Sequence, residues 1–365
     1  MNRRTFLSAA GTAVATRSLL AQSTNRKTKN VLLVTTDGLR WQDVFRGADA
    51  SLINKKSGGV ADPEALRKRF WRDSAVQRRE ALMPFLWTVL AKQGQLYGNR
   101  DLGSDAYVTN GKNFSYPGYN EILTGAADPR IDSNDKVNNP NVNVLEWLNQ
   151  KESFRGRVGA FGAWDCFPYI LNAERSGLLV NAGYEPLKAN GNTQIELLNR
   201  LKVETRIWDA EPFDAPVFHL ALEHLRATKP RVLYLAFGET DEWAHDGRYD
   251  LYLTAAHRVD QYLKEVWNTV QSMPEYRDST TLIVSVDHGR GSNGETWKSH
   301  GEKLPETKYI WFGILGPDTP AIGERSKVKA IQQNQIASTL ATVLGEDYRA
   351  AYPKAGAPIT GVLGG

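Results

Sequence analysis

The sequence predicts an α/β fold with a mostly parallel central sheet and helices on both faces. Short apolar runs typical of buried strands recur along the chain, and helical patterns lie between them. Strands that alternate with helices favour a parallel sheet, because each parallel connection must cross over the sheet. At 365 residues the chain can bury a large core. No internal repeat or low-complexity linker divides it, so we expect one domain over residues 28–365, after an N-terminal signal.

The predicted elements follow one another in order. Apolar runs predict strands at Asn30–Thr35, Arg157–Phe161, Arg231–Phe237, Thr280–Val286 and Tyr309–Leu315. Helical spacing predicts helices at Leu82–Lys92, Val142–Gln150, Pro216–Thr228, Asp250–Gln271 and Gln335–Leu344.

Two stretches do not follow this alternation. Residues 46–80 are polar, with basic and acidic side chains interleaved, which indicates a solvated helix or insertion rather than an anion-binding surface. Residues 126–229 are rich in Asn, Gly and Pro, and we expect loops and an insertion there, near the functional face. Its Trp147, Trp164 and Trp208 could contact a substrate, although core packing is the usual role of such side chains.

The first residues have the features of an export signal. The segment Asn2–Ser8 (NRRTFLS) resembles a twin-arginine motif and precedes a weakly apolar stretch. We therefore expect a signal peptide over residues 1–21, the twin-arginine export machinery as a partner, and a periplasmic or secreted protein. The alternative is a frayed basic N-terminus without a targeting role.

Composition excludes several classes of function. Lys and Arg number 45 against 41 Asp and Glu, and three of the basic residues lie in the first 21 positions, which carry no acid. The near-neutral remainder gives no electrostatic case for a nucleic-acid-binding surface. The single cysteine excludes an internal disulfide framework, and no apolar run approaches the length of a membrane span.

Acids and histidines follow three of the predicted strands. Asp37 comes two residues after the first strand, Asp241 and His245 follow the third, and Asp287-His288 ends the fourth. In an open parallel sheet the carboxyl ends of the strands share one rim, so these side chains should meet there.

His300, further downstream, adds a third imidazole to this group. Each residue alone has an ordinary structural explanation, since an Asp at a strand end is often a helix N-cap. Together, three carboxylates and three imidazoles suffice to hold two Zn-type ions. The other histidines, His219, His224 and His257, lie in helical patterns without an acid at useful spacing, and we expect them to be structural.

A hydroxyl group precedes a further helical run at Ser115, within the segment Asn113–Gly125 (NFSYPGYNEILTG). The backbone N–H groups at the start of a helix favour an anion, so this serine is placed to meet a phosphate. Thr109 is a second hydroxyl near a turn, but it lacks the proline and the closing Thr-Gly. Ser115 is therefore the candidate nucleophile.

This segment resembles the nucleophile motif of the alkaline phosphatase superfamily, in particular its type I nucleotide pyrophosphatase/phosphodiesterase branch. In that motif a Thr or Ser, one further residue and a Pro open a helix that closes in Thr-Gly. The stretch from Ser115-Tyr116-Pro117 to Thr124-Gly125 matches it without a gap. The helix from Gln335 to Leu340 and Gly345 are similar to the C-terminal element of the family, so the resemblance extends from about residue 30 to the end.

The resemblance implies an alkaline phosphatase-like fold and a metal-dependent phosphoric ester hydrolase, of phosphodiesterase or phosphatase type, with a small phosphate ester as substrate. It also implies two divalent metal ions, with Zn²⁺ expected, and a covalent phosphoseryl intermediate on Ser115. The implied ligands are Asp241, His245 and His300 for one ion, and Asp37, Asp287, His288 and Ser115 for the other.

The chain departs from the pattern of this branch, which usually has Asn-His where Gly118-Tyr119 stands here. Asn120 is a candidate replacement for the missing Asn. A phosphate monoester hydrolase of the family binds the extra phosphate charge with an Arg or Lys. The sequence does not identify this residue, and Arg175 and Lys112 are the candidates. The choice between monoester and diester therefore stays open.

Other functions remain as alternatives. A sulfatase-like or phosphonate hydrolase would use the same sheet and metals. Cys166-Phe167-Pro168 resembles the sulfatase Cys-x-Pro-x-Arg motif, but position 170 is Ile, so we expect Cys166 to be a buried thiol. A catalytically inactive metal- or phosphate-binding protein is the alternative from another class, against which the hydroxyl at Ser115 argues. A cofactor-independent phosphoglycerate mutase would need an inserted domain that 365 residues cannot hold.

Overall fold

A computed structural model describes residues 26–364, so the expected signal peptide at residues 1–21 lies outside the described residues. The strands are β1 (Asn30–Thr36), β2 (Gln95–Tyr97), β3 (Ala106–Tyr107), β4 (Val158–Gly162), β5 (Leu179–Ala182), β6 (Val232–Phe237), β7 (Thr280–Val286), β8 (Phe312–Leu315), β9 (Gly323–Glu324) and β10 (Ile331–Gln332).

The helices vary from single turns to 24 residues. They are α1 (Trp41–Arg46), α2 (Lys55–Gly58), α3 (Pro63–Phe70), α4 (Ala75–Leu82), α5 (Ala91–Gln93), α6 (Ser115–Thr124), α7 (Val144–Gln150), α8 (Phe167–Ile170), α9 (Ala173–Ser176), α10 (Thr193–Glu204), α11 (Asp214–Thr228), α12 (Glu239–His245), α13 (Tyr249–Ser272), α14 (Ile336–Val343) and α15 (Tyr348–Ala351). A π-helical turn occupies Leu86–Leu90, and 3₁₀ turns occupy Arg100–Leu102, Pro305–Lys308 and Gln333–Gln335.

The main sheet has the strand order β5-β4-β6-β1-β7-β8-β2-β9. Strands β5, β4, β6, β1 and β7 run parallel, whereas β8 is antiparallel to both β7 and β2. All residues of β1, β6 and β7 are buried, as expected for central strands covered on both faces. Strands β3 and β10 form a separate parallel pair. The predicted fold class, α/β with a mostly parallel sheet, is confirmed.

The region 82–92 differs from the single helix that its sequence predicts. Helix α4 ends at Leu82, and Met83 leaves the helical conformation with φ −130° and ψ 70°. The carboxylate of Asp260, on α13, then accepts hydrogen bonds from the backbone N–H groups of Phe85 and Leu86 at 2.8 Å each. This contact from a distant helix starts a new helical segment, which explains why local periodicity alone did not locate the break.

Residues 126–229 are more ordered than the expected loops and insertion. They supply strands β4 and β5 on one side of the main sheet, together with α7 to α11. Trp147 and Trp164 pack against the hydrophobic core. Residues 46–80 form short polar helices, as expected, and Leu66 and Phe70 of α3 turn towards the core. Within residues 26–364, no helix has both the length and the apolar character needed to cross a membrane.

Candidate metal centre

Three neighbouring strands deliver the candidate ligands to one rim of the sheet. In the sheet register Thr36, the last residue of β1, lies beside Phe237 of β6 and Val286 of β7. Asp37 and Asp287 follow directly on their strands, and α12 begins two residues after β6. Because the three strand ends are level, the side chains that follow them converge on one point.

Asp37, Asp287 and His288 form a compact group, which we call the inner set. The Nε2 atom of His288 lies 3.2 Å from Oδ1 of Asp37 and 3.4 Å from Oδ2 of Asp287. All three residues are buried. These same two carboxylate oxygens have no hydrogen-bond partner, although both are buried. Buried oxygens without partners that face a ring nitrogen are the donor set that a divalent ion would complete.

Asp241, His245 and His300 form the outer set, closer to the surface. The Nε2 atom of His245 lies 3.0 Å from Oδ2 of Asp241 and 3.0 Å from Nε2 of His300. Oδ1 of Asp241 is 3.8 Å from Nε2 of both His300 and His288. The two sets therefore share one cluster, and His288 lies between them.

The separations within the cluster fit a shared ion. Two ligands bound at zinc distances in a tetrahedral arrangement lie about 3.3 Å apart. The shortest separations in the inner and outer sets are 3.0–3.4 Å. The structure therefore brings together all six predicted carboxylate and imidazole side chains. Within them, Asp37, Asp287 and His288 form one compact group, and Asp241, His288 and His300 form another.

In two of the imidazoles, a hydrogen bond from the ring nitrogen Nδ1 fixes the orientation of the ring. Nδ1 of His288 lies 3.0 Å from the carbonyl oxygen of Gly289, and Nδ1 of His300 lies 3.2 Å from the carbonyl oxygen of Asn113. A carbonyl can only accept, so Nδ1 carries the proton in each ring. Nε2 of each neutral ring is then left with a lone pair directed at the cluster, as a metal ligand requires.

Burial and charge give the inner set an environment that favours a cation. Burial raises the pKa of Asp287 well above its usual range, and the charge of Asp37 adds to this. Burial would also raise the pKa of Asp37, but the adjacent imidazole of His288 holds the pKa of this carboxyl below its ordinary value. Burial opposes a charged imidazole at His288, yet the acids around it raise its pKa to about 9. The acids thus stabilise a positive charge at this point.

Ser115 is the first residue of α6 and faces the same cluster. Its Oγ lies 3.4 Å from Nε2 of His288, and its side chain is 6% exposed. Every residue of α6 is buried, and Gly125, with a φ of 74°, ends the helix in the left-handed conformation. The predicted hydroxyl, helix start and Thr-Gly end are therefore all found where the motif places them.

The departure at Gly118-Tyr119 has a structural reason. A Cβ at Gly118 would lie 2.4 Å from the carbonyl oxygen of Asp287, so only glycine allows α6 to approach the end of β7 this closely. Tyr119 points at the inner set and donates from its hydroxyl to Oδ2 of Asp37 at 2.9 Å. The two residues thus allow helix α6 to pack closely against the inner set.

The other residues that the sequence suggested for binding a phosphate form contacts of their own. Asn120 uses its amide on Ala126 and on two further asparagines, so it cannot replace an Asn at the phosphate. Arg175 forms a two-point ion pair with Glu146. Lys112 pairs with Glu302 at 3.3 Å near the surface, and it stays an open candidate.

The rival nucleophiles do not reach the cluster. The hydroxyl of Thr109 donates to Glu121 at 2.7 Å. Cys166 is fully buried, and burial raises its pKa to about 12, so its thiol is inert, as expected.

Two residues that the sequence did not indicate also reach this region. Oδ1 of Asn134 accepts a hydrogen bond from the backbone N–H of Tyr116 at 3.0 Å, beside Ser115. Arg290 is buried and contacts Asp241. Asn134 stands in a polar loop without a motif, so no signal identified it. Arg290 follows Asp287-His288-Gly289 directly, and that position was the available signal.

Comparison with known families gives one match. The family described as type I phosphodiesterase / nucleotide pyrophosphatase matches residues 51–310. No curated protein gives a significant sequence match.

Solved structures with the same fold include several hydrolases. A mutant of the alkaline phosphatase PafA has a TM-score of 0.57 at 11% identity, covering 93% of this chain and 99% of that chain. The lipoteichoic acid synthase LtaP from Listeria monocytogenes has a TM-score of 0.56 at 11% identity, covering 88% and 73%. The phosphonate monoester hydrolase SpPMH from Silicibacter pomeroyi has a TM-score of 0.55 at 15% identity, covering 91% and 76%. At these identities the similarity establishes an alkaline phosphatase-like fold.

Proposed function

The chain belongs to the type I phosphodiesterase / nucleotide pyrophosphatase family, and on that premise we propose that it hydrolyses phosphate esters with Ser115 as the nucleophile. The observation that carries this proposal is the position of Ser115 Oγ, 3.4 Å from His288 Nε2, where the two ligand sets meet. Among the described residues, the Ser115 side chain has His288 as its hydrogen-bond partner, at the start of a buried helix.

The inner and outer sets would each hold one divalent ion, with Zn²⁺ as the expected metal and Ser115 as a further ligand on the inner side. Bound there, two ions would supply positive charge that lowers the pKa of the serine hydroxyl and stabilises the leaving oxygen. The donor set of carboxylate and imidazole also suits manganese or iron.

The chain's own residues then perform the displacement. Ser115 gives up its hydroxyl proton to solvent, and its Oγ forms a bond to phosphorus as the bond from phosphorus to the leaving oxygen breaks. The leaving oxygen takes up a proton and departs as an alcohol, which yields a phosphoseryl intermediate. Water hydrolyses this intermediate and restores the serine. The positive end of α6 favours the negative phosphoryl group. The amide of Asn134, held by Tyr116 N–H through its oxygen, would direct its NH₂ group at a phosphoryl oxygen.

The family description points to a diester or pyrophosphate-type substrate, and we propose a small phosphate ester. A sulfatase-like or phosphonate hydrolase remains the second candidate, because a phosphonate monoester hydrolase shares the fold. We further propose that the protein acts in the periplasm or outside the cell after twin-arginine export, on the strength of the Asn2–Ser8 segment.

The decisive experiment couples metal analysis to a substrate panel. Purified protein should contain about two zinc ions per chain and should cleave aryl phosphodiesters or monoesters faster than matched aryl sulfates. Ser115→Ala should lower turnover at least about a thousandfold with the metal still bound. Thr109→Ala, the matched loss of a nearby hydroxyl, should remain active.

The outcomes separate the rivals. Full turnover in Ser115→Ala would remove the nucleophile assignment. A faster rate on sulfate or phosphonate esters would favour the second candidate. Bound metal without turnover on any ester would identify an inactive metal-binding protein.

A further inference from the structure

We propose that Arg290 is a permanent counter-charge of the metal cluster, which allows the ligand set to fold before any metal is bound. This inference rests on the proposed two-metal site. It concerns a buried residue that lies outside both ligand sets and contacts Asp241.

The contacts of Arg290 hold its guanidinium against the outer set. Nη2 donates to Oδ1 of Asp241 and also lies 3.2 Å from the backbone oxygen of Asp241. Nη1 donates to the carbonyl oxygen of Lys298 at 2.7 Å. Nε is buried and has no partner. The group is therefore fixed in place, and Asp241 is the acid that it contacts.

The surrounding backbone leaves room for this ion pair. A Cβ at Gly38, which follows the ligand Asp37, would lie 2.7 Å from both Nε of Arg290 and Oδ1 of Asp241. Gly38 also has a φ of 58°, a conformation that disfavours other residues. The chain thus has a glycine at the position where any side chain would separate the arginine from the cluster.

The balance of charge explains why an arginine is needed. Asp37, Asp241 and Asp287 place three acidic side chains around His288, and burying charges of one sign without compensation is strongly unfavourable. His288 lies closest to Asp37 and Asp287, so Asp241 is left to Arg290. Arg40 is a second buried guanidinium close by, but it forms its own two-point ion pair with Asp43 at 2.7 and 2.9 Å. A guanidinium keeps its charge when buried, unlike a lysine, so Arg290 offsets the acids whether or not metal is present.

Bound ions would add a much larger positive charge at the same place. The contribution of Arg290 to stability should therefore be large in the metal-free protein and small in the metal-loaded protein. An arginine that served only for packing would contribute equally in both states, and this difference separates the two roles.

The test compares thermal unfolding of Arg290→Met with wild type in EDTA and in excess zinc. Methionine removes the charge but keeps much of the side-chain volume. We expect the fall in Tm caused by the substitution to be at least about 5 °C larger in EDTA than in zinc. Arg290→Lys should show a smaller difference. The matched control is Arg40→Met, which should lower Tm by a similar amount in both conditions because its partner is Asp43.

An equal fall in Tm for Arg290→Met in both conditions, or no fall in either, would overturn the proposal. Failure of Arg290→Met to fold even in zinc would overturn it as well, since the residue would then be a general part of the core. Recovery of folded Arg290→Met in zinc but not in EDTA would support it. Zinc content of the wild type, measured in parallel, tests the proposed function separately, because the loss in EDTA does not depend on metal uptake.

Discussion

Tyr119 donates a hydrogen bond from its hydroxyl to Oδ2 of Asp37 at 2.9 Å, and this contact joins the helix that carries Ser115 to the end of strand β1. The other oxygen of Asp37 faces His288 at 3.2 Å. Helix α6 therefore orients the carboxylate of Asp37 through Oδ2, and Oδ1 remains directed at His288. Partners that orient a ligand in this way tune metal affinity as well as position.

We predict that Tyr119→Phe weakens metal binding at the inner set by about 10- to 100-fold, because Asp37 loses the donor that orients it. Competition with a chromophoric chelator measures the affinity of each ion. Tyr116→Phe is the matched control, since the hydroxyl of Tyr116 donates to the carbonyl oxygen of Val137, away from the ligands. Unchanged affinity in Tyr119→Phe would show that the contact has no influence on the ion.

His288 lies between the two ligand sets, so its removal should have the largest effect. His288→Ala should retain at most about one zinc ion per chain and should lose turnover, because the inner set is left with two carboxylates and no imidazole. Metal analysis after dialysis, with circular dichroism to confirm folding, measures this. His219→Ala should keep both ions, because His219 lies on α11 and contacts Phe218 and Tyr262 edge-on. Two ions in a folded His288→Ala would exclude this ligand assignment.

Asn134 offers a test of transition-state stabilisation that leaves the metal untouched. Asn134→Ala should lower kcat/KM by about 100- to 1,000-fold, the effect of removing one donor to a developing charge. Zinc content should not change, because Asn134 contacts Tyr116 N–H rather than a ligand. Asn138→Ala, in the same loop but directed at Glu174, is the control. A loss of activity that follows a loss of zinc would contradict this role.

The long buried strands and the acids that follow them could be read from the sequence. Strands β1 and β7 are continuous apolar runs, and Asp37 and Asp287 come at once after them. Strands of two or three residues could not be predicted, since β3 and β9 exist through pairing with distant segments rather than through their own pattern.

The sequence predicts the site residues that follow closely after a strand. It does not predict the residues that reach the site only through the packing of distant segments. His245 and Asp241, four residues apart, follow a strand, whereas Asn134 contacts the backbone of Tyr116 from a polar loop that carries no periodicity. The burial of Arg290 shows the same limit. Its position after Asp287-His288-Gly289 was a signal, but only the fold buries its side chain against Asp241.

The last prediction concerns pH. The acids of the inner set raise the pKa of His288 to about 9 in the metal-free protein, although burial opposes this. Below that pH the imidazole therefore carries a proton that a metal ion must displace, since only the neutral ring can be a ligand. The apparent affinity for zinc should rise by about tenfold per pH unit from pH 7 to near 9 and then level off.

Calorimetry in buffers of different ionisation enthalpy should detect the release of about one proton per inner ion at pH 7. His288→Asn, which has no proton to lose, should show a flatter pH dependence, and an unchanged slope in that variant would assign the proton to another group.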